Sequence, residues 1–228
     1  MAGRSATKPK PPSEVRFHAD KDGCLAGPGF VGAVTAQLKA LKEGGEETAS
    51  LLQLDLDGLH QVNTGAGREA GDRLLAAAIA TLARNARSEG WTFGRLGGDE
   101  FALFAPGLPL EAAFLRADRL RQEVDAALAK VAAHGHRCTV SVGVANLPRD
   151  ARSPDELLRK ADLALYAAKD QGGDAAALVP GGEMVLRSSY YGVAQLSRLR
   201  SLAERLKKKE SVLLREGLDD LLRKYDRS

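Results

Sequence analysis

A pair of adjacent glycines between two apolar runs constrains the fold of this chain more than any other feature. Gly97 and Gly98 separate a run that ends at Leu96 from one that begins at Phe101. Two glycines between strand-like runs predict a tight hairpin turn, and a hairpin pairs its strands antiparallel. Because strands and helices alternate irregularly elsewhere, we expect an α+β domain with a mixed sheet rather than a doubly wound parallel sheet.

Hydrophobic periodicity predicts the elements around the hairpin. Ser153, Pro154 and Glu156 form a helix start, with Ser153 as the N-cap. A glycine-containing segment at 63–67 separates a strand from a long helix. The predicted elements are a helix at 29–41, a strand at 50–56, a long helix that carries Leu74 and Leu82, a further helix from Leu110 to Val131, a strand at 138–145 and a helix from 154 to 169.

Four acidic residues lie at the ends of two predicted strands. Asp55 and Asp57 flank Leu56 at the end of one strand, and Asp99 and Glu100 follow the glycine turn. If the strands are neighbours, Asp55 and Asp99 come together, and two carboxylates with a backbone carbonyl suit Mg²⁺. Such a site activates a hydroxyl and neutralises charge at a phosphorus centre. The alternative is that these acids merely occupy exposed strand ends.

Composition excludes several classes of protein. The two cysteines are too few for a disulfide scaffold or a thiolate metal site. No apolar run is long enough to span a bilayer, and we expect a cytoplasmic protein with no membrane partner. The net charge of +3 is uneven, because residues 184–228 carry 11 Lys and Arg against 6 Asp and Glu. The tail is therefore basic and the main body slightly acidic.

The residues around both acid pairs resemble the GGDEF-domain diguanylate cyclases, which join two GTP molecules into cyclic di-GMP. The resemblance covers roughly residues 17–178 and rests on four motifs in order. It implies a palm-like nucleotidyl-cyclase domain, an α/β sandwich with a central, largely antiparallel sheet flanked by helices. The motifs are Asp55-Leu56-Asp57 with Asn63, Gly67 and Gly71-Asp72; Gly97-Gly98-Asp99-Glu100-Phe101; Thr139 to Gly143; and Ala161-Asp162, Ala164-Leu165-Tyr166 and Ala168-Lys169.

The resemblance implies catalytic and metal-binding roles for the acids. Asp55, the Leu56 carbonyl and Asp99 would hold Mg²⁺ or Mn²⁺. Glu100 would help to activate the ribose 3′-hydroxyl or stabilise the reacting centre. The cofactor is then a divalent cation that shares its ligand shell with the substrate phosphates.

The resemblance also implies residues that bind GTP. Asn63 and Asp72 would hydrogen-bond the guanine, since a carboxylate accepts from N1 and N2 donors that adenine lacks. Lys169 would meet the triphosphate as a point charge. His60 stands where the family commonly has a phosphate-contacting Lys. Gly97 and Gly98 leave room for a phosphate to approach the backbone closely.

Several positions depart from the family pattern. Thr64 replaces an Asp and Arg68 replaces a His. Gly173 stands where the family usually has a phosphate-binding Arg, so that substrate affinity is weaker or Arg68 compensates. Ser88 and Trp91 stand where the family often carries the Arg-x-x-Asp of an inhibitory product site, and we predict no such feedback site.

Residues 184–228 resemble a ribbon-helix-helix module, in which one strand and two helices per chain form an intertwined dimer. Helices predicted from Val193 to about Lys207 and from Ser211 onward carry apolar stripes that so short a segment cannot bury alone. The tail therefore implies a partner, and a second copy is the simplest one. The alternative is an amphipathic helical hairpin that serves only as a dimer interface.

The ribbon-helix-helix resemblance also implies DNA contacts. A buried Leu186 would point Arg187, Ser189 and Tyr191 outward, whereas the family alignment suggests that Ser188 and Tyr190 point outward. Arg187 is the preferred base contact, because Arg pairs well with guanine. The N-terminus of the last helix would grip a phosphate. The candidate DNA-binding residues are Arg187, Ser188, Ser189, Tyr190 and Ser211.

The sequence thus predicts four regions and two alternative functions. The regions are a disordered, basic, Pro-rich tail at 1–16, the cyclase domain at 17–178, a linker at 179–183 and the tail module at 184–228. The first hypothesis is a homodimeric diguanylate cyclase that its tail dimerises and tethers to DNA. The second is a DNA-binding regulator whose cyclase-like domain senses a nucleotide with little or no turnover.

Overall fold

The computed structural model describes residue 20 and residues 22–45, 48–133, 135–181, 189, 191–206 and 210–225. Helices and strands follow one another in these ranges in the irregular order that the sequence predicts. In chain order they are β1 (Leu25–Ala26), α1 (Gly27–Glu43), β2 (Ala49–Asp57), α2 (Leu59–Ala66), α3 (Arg68–Glu89), β3 (Thr92–Gly97), β4 (Glu100–Pro106), α4 (Leu110–Val131), β5 (Thr139–Leu147), α5 (Pro154–Asp170), β6 (Ala176–Leu178), α6 (Val193–Leu206) and α7 (Glu210–Tyr225).

The hairpin predicted at Gly97 and Gly98 is formed by β3 and β4. The sheet has the strand order β1-β3-β4-β2-β5-β6. The four central strands pair antiparallel with one another, whereas the short edge strands β1 and β6 pair parallel with β3 and β5. The prediction of an α+β fold with a mixed, largely antiparallel sheet is therefore confirmed.

The side chains of β2 alternate between two apolar cores. Leu52, Leu54 and Leu56 pack into a core that includes residues of α3 and α4. Leu51 packs into a second core, which includes residues of α1 and α5. Because strand side chains alternate with a period of two, residues 53, 55 and 57 also face the α5 side.

Helix α5 lies unusually close to the sheet. A Cβ atom at Gly143 of β5 would lie 2.1 Å from the backbone nitrogen of Leu165, so that only glycine fits at this position. The helix begins as predicted, since the Glu156 amide donates to Ser153 Oγ over 3.2 Å. This close packing brings the last turn of α5 to the end of β2.

Helix α2 was not expected from the sequence. The glycine-containing segment at 63–67 was predicted to separate a strand from a helix, but its first four residues belong to α2. The helix ends at Ala66, and the next residue, Gly67, has a φ of 85° that turns the chain into α3. Gly67 is therefore the single residue that connects two helices, and the segment 63–67 is not a loop between a strand and a helix.

Helices α6 and α7 form a pair at the end of the described chain. Arg200 Nε lies 3.4 Å from Glu210 Oε1 and links the two helices. Ala203 is buried, whereas Val193 is 87% exposed and Tyr225 is 65% exposed. Much apolar surface of the tail is thus uncovered. None of the described helices has the length and apolarity that a membrane crossing requires.

Most of the predicted DNA-contacting segment lies outside the described residues. Arg187, Ser188 and Tyr190 belong to this part, whereas Ser189 is exposed and lies in no helix or strand. The last helix was predicted from Ser211 onward, and α7 begins one residue earlier, at Glu210. A glutamate in the first turn favours this earlier start, since its charge complements the helix dipole.

Candidate active site

The register of the sheet brings both acid pairs to one place. Asp55 of β2 lies opposite Glu100 of β4 on one side and opposite Ser141 of β5 on the other. Asp99 precedes Glu100 in the turn and is half-buried, while Glu100 is exposed. The carboxylates predicted to come from neighbouring strands therefore meet at one end of the sheet.

The glycine turn is held open by its neighbour Arg95. Arg95 Nε donates to the Gly98 carbonyl over 2.8 Å, and Gly98 has a φ of 46°. A Cβ atom at Gly97 or Gly98 would meet nothing within 4 Å among the described residues. The turn therefore presents bare backbone to open space beside Asp99 and Glu100, as a phosphate contact requires.

Asp55 is held by an ion pair with Lys169. The ammonium Nζ lies 2.5 Å from Asp55 Oδ1, and the Asp55 side chain is only 10% exposed. Burial raises the pKa of Asp55, the ammonium of Lys169 acts in the opposite direction, and the charges of Asp99 and Glu100 raise it further. The last turn of α5 thus supplies the positive charge that this buried carboxylate needs.

The residues at this end of the sheet fit a divalent cation. Among the described residues, no three His, Cys, Asp or Glu side chains are grouped as a metal site. The predicted ligands are instead two carboxylates, of Asp55 and Asp99, and the Leu56 carbonyl, a set that leaves room for water and substrate phosphate. The ammonium of Lys169, which lies against Asp55 Oδ1, shows that this position accommodates a positive charge.

Asp57 faces the same side as Asp55 but has a different environment. Thr139 Oγ1 donates to Asp57 Oδ2 over 3.0 Å, and Ser141 Oγ lies 2.9 Å from both carboxylate oxygens. The backbone nitrogen of Asp174 also donates to Asp57 Oδ2, over 3.0 Å. Both oxygens of Asp57 accept hydrogen bonds from neutral donors. Asp57 thus links β2 to β5 and to the turn that follows α5.

The turn after α5 is fixed by charge as well. Asp174 has a φ of 51° and accepts from Arg121 and Arg137, the latter over 2.8 Å. Gly173 also has a positive φ, and a Cβ there would lie 3.1 Å from the Asp57 carboxylate. The glycine at the position of the family's phosphate-binding Arg is therefore packed closely against Asp57.

The corner between α2 and α3 brings the predicted guanine contacts together. Asn63 is half-buried near the end of α2, and Asp72 is exposed in the second turn of α3. A Cβ atom at Gly71 would lie 1.9 Å from Asn63 Oδ1, so that the Asn63 side chain occupies the space that glycine leaves. The sequence motif included Gly71, but only the structure shows that a side chain there would have to displace Asn63.

The remaining predicted residue, His60, is exposed in the first turn of α2. This helix starts at Leu59, and its N-cap Gly58 has a φ of 81° and lies directly after Asp57. His60 is therefore close in the chain to the acids, and its imidazole is accessible to solvent. The hydroxyl of Thr64 bonds the His60 carbonyl over 2.9 Å and stays within the helix.

Comparison with known proteins identifies the region that contains all of these residues. The family described as diguanylate cyclase, GGDEF domain, matches residues 30–175. The diguanylate cyclase DgcM of Escherichia coli K12 is 41% identical over 124 residues, which cover 54% of this chain and 29% of that protein. The bifunctional diguanylate cyclase/cyclic di-GMP phosphodiesterase MucR of Pseudomonas aeruginosa is 35% identical over 167 residues, 72% of this chain and 23% of that protein. The matched region is thus less than a third of either relative.

Solved structures share the fold. The crystal structure of the GGDEF domain of PA1120 from Pseudomonas aeruginosa has a TM-score of 0.59 and 27% identity, and the match covers 71% of this chain and 99% of that one. The GGDEF domain of DgcB from Caulobacter crescentus, in complex with c-di-GMP, has a TM-score of 0.63 and 23% identity, covering 76% and 100%. The second likeness is evidence of the fold alone.

Proposed function

The chain belongs to the diguanylate cyclase GGDEF-domain family, and on that premise we propose that it condenses two GTP molecules into cyclic di-GMP. The 3′-oxygen of one GTP attacks the α-phosphorus of the other, and the bond to the β-phosphate breaks to release pyrophosphate. The same step in the opposite direction closes the ring and releases a second pyrophosphate. The observation that carries this proposal is the meeting of Asp55 with Glu100 across β2 and β4, beside an open glycine turn.

The acids divide the chemistry between them. Asp55, the Leu56 carbonyl and Asp99 would hold Mg²⁺ or Mn²⁺, which when bound neutralises phosphate charge and favours the ionised 3′-hydroxyl. Glu100 is exposed and opposite Asp55, so it is free to accept the hydroxyl proton or to stabilise the reacting centre. The half-buried Asp99 and the buried Asp55 are better suited to fixed coordination.

Recognition of GTP would come from two parts of the domain. Asn63 and Asp72 would bind the guanine edge at the corner of α2 and α3. Lys169, His60 and the backbone of Gly97 and Gly98 would surround the phosphates. Adenine lacks the N1 and N2 donors that Asp72 accepts, so ATP would leave this carboxylate without a partner.

One domain would bind one GTP, so two copies must face each other to make a product with twofold symmetry. The exposed apolar surface of α6 and α7 supports a homodimer formed by the tail. Leu196, Leu206, Leu218 and Leu221 are each at least 40% exposed on these helices. Covering them with a second copy would hold two active sites near each other at high effective concentration.

A DNA-binding role of the tail rests on its sequence resemblance to a ribbon-helix-helix module. The family match ends at residue 175, before the tail begins. The excess of basic residues in 184–228 favours contact with phosphates. In the alternative function, a weak or inactive cyclase domain senses a nucleotide for a DNA-binding regulator, and Gly173 in place of an Arg favours this alternative.

Incubation of the chain with GTP and Mg²⁺, followed by chromatography of the nucleotides, tests the enzyme proposal. Cyclic di-GMP and pyrophosphate should appear, and the Glu100→Gln variant should form neither at a measurable rate. If the dimeric wild type forms no product, with or without duplex DNA, the sensing alternative replaces the enzyme. A salt-dependent shift with duplex DNA that is lost on deletion of residues 184–228 tests the DNA proposal.

A further inference from the structure

The ion pair between Lys169 and Asp55 occupies the carboxylate that the proposed metal ion needs. Lys169 Nζ lies 2.5 Å from Asp55 Oδ1, and the lysine side chain remains 35% exposed. Lysine is a compact charge on a flexible four-carbon stem, so that a small rotation of the stem carries the ammonium away. The carboxylate itself is fixed by a buried strand and cannot follow.

The charges around this pair favour a stronger cation than one ammonium. Glu100 lies opposite Asp55 across β4 and β2, and Asp99 precedes Glu100 in the turn. Counted by themselves, these three carboxylates and the Lys169 ammonium carry two net negative charges. A divalent cation would therefore neutralise the group better than Lys169 does, and it would repel the ammonium at short range.

We propose that Lys169 is an exchangeable counter-ion that couples metal binding to triphosphate binding. In the nucleotide-free chain, the ammonium neutralises Asp55 and holds the buried carboxylate in place. When the divalent cation binds to Asp55, the ammonium leaves and becomes available to the triphosphate. The inference rests on the proposed function, because it assumes the metal site at Asp55.

This exchange has a thermodynamic consequence. A ligand that binds where Lys169 now lies must first displace it, which weakens metal binding in the absence of nucleotide. A triphosphate that attracts the released ammonium recovers this free energy, so each ligand strengthens the binding of the other by the same factor. Lys169 thereby weakens binding of the metal ion alone and favours joint binding of the metal ion and the triphosphate.

Mn²⁺ titration of the full-length chain without nucleotide, followed by the electron paramagnetic resonance of free Mn²⁺, tests the inference. Lys169→Met should bind Mn²⁺ more tightly than the wild type by about fivefold or more, because the competing ammonium is gone. Lys169→Gln should behave like Lys169→Met, and it serves if the methionine variant does not fold. Both variants should bind a non-hydrolysable GTP analogue in Mn²⁺ more weakly than the wild type.

Lys160→Met is the matched control, because Lys160 lies on the same helix about two and a half turns earlier and on the opposite side. It should leave Mn²⁺ affinity unchanged. Equal and saturable Mn²⁺ binding by the wild type and both Lys169 variants would overturn the exchange while leaving the metal site intact. If none of these proteins binds Mn²⁺ and Asp55→Asn changes nothing, the proposed metal site fails as well.

Discussion

Asp55 and Asp57 lie two residues apart on the same face of β2, yet their partners differ in kind. Asp57 accepts from two hydroxyl groups and one backbone amide, all neutral and all within 3.0 Å. Asp55 has one ion pair, with a lysine that is partly exposed. A carboxylate with fixed neutral donors is suited to a scaffold role, whereas one that is paired with a partly exposed lysine is open to exchange with another cation.

The two carboxylates are nevertheless connected through α5. Asp57 fixes the turn at 171–174, and this turn follows directly from the helix end that carries Lys169. Asp57 thus acts on the site indirectly, by holding the end of α5 in place. The comparison therefore predicts that loss of Asp55 removes activity without lowering the stability of the domain. Loss of Asp57 should lower the stability but leave the folded molecules active.

The largest expected effect is that of Asp55→Asn on product formation. Loss of the charge that would hold the cation should lower the rate of cyclic di-GMP formation by about a thousandfold. The melting temperature should stay near that of the wild type, because burial and the neighbouring acids already disfavour the ionised Asp55. A variant that keeps its activity within tenfold would contradict the role given to this residue.

The next largest effect is that of Asp57→Ala on stability. The substitution leaves Thr139 and Ser141 hydroxyls and the Asp174 amide without an acceptor, which should lower the free energy of unfolding by about 2–4 kcal/mol. Chemical denaturation with urea measures the change. An unchanged unfolding midpoint would show that Asp57 does not stabilise the fold, which contradicts the role given to it here.

Gly71→Ala should affect nucleotide binding without touching either carboxylate. The added methyl group displaces Asn63, so we expect the KM for GTP to rise by about tenfold. Mn²⁺ binding without nucleotide should not change, since Asn63 is not among the predicted metal ligands. An equal loss of Mn²⁺ affinity would show that the substitution has disturbed the whole site.

The smallest expected effect is that of Ser141→Ala. One donor to Asp57 is lost while Thr139 and the Asp174 amide remain, so the free energy of unfolding should fall by about 1 kcal/mol. Activity per folded molecule should be retained. A strong loss of activity from Ser141→Ala would mean that Asp57 takes part in the chemistry directly.

The elements with strong local signals could be predicted from the sequence. The hairpin followed from Gly97 and Gly98, and the start of α5 followed from Ser153 and Glu156. Helix α2 could not be predicted, because its eight residues are too few for a clear period and include Gly65. The edge strands β1 and β6 have two and three residues and depend on pairing with distant neighbours.

The acids of the site could be identified, but their partners could not. Lys169 was expected to meet a triphosphate, and its pairing with Asp55 depends on how closely α5 packs on β5 at Gly143. Asp55 and Asp57 look alike in sequence, since both flank the same leucine. Their environments differ because the register of β2 and β5 places Thr139 opposite Asp57, and a sequence does not show this register.

The most direct test of the account is a paired measurement on Asp55→Asn and Asp57→Asn. Both are isosteric changes, and product formation from GTP and Mg²⁺ is measured at a temperature where both proteins are folded, together with their melting temperatures. We predict that Asp55→Asn is inactive and as stable as the wild type, and that Asp57→Asn is less stable and active. Inactivity of Asp57→Asn, or an equal loss of activity in both variants, would contradict this division of roles between the two carboxylates.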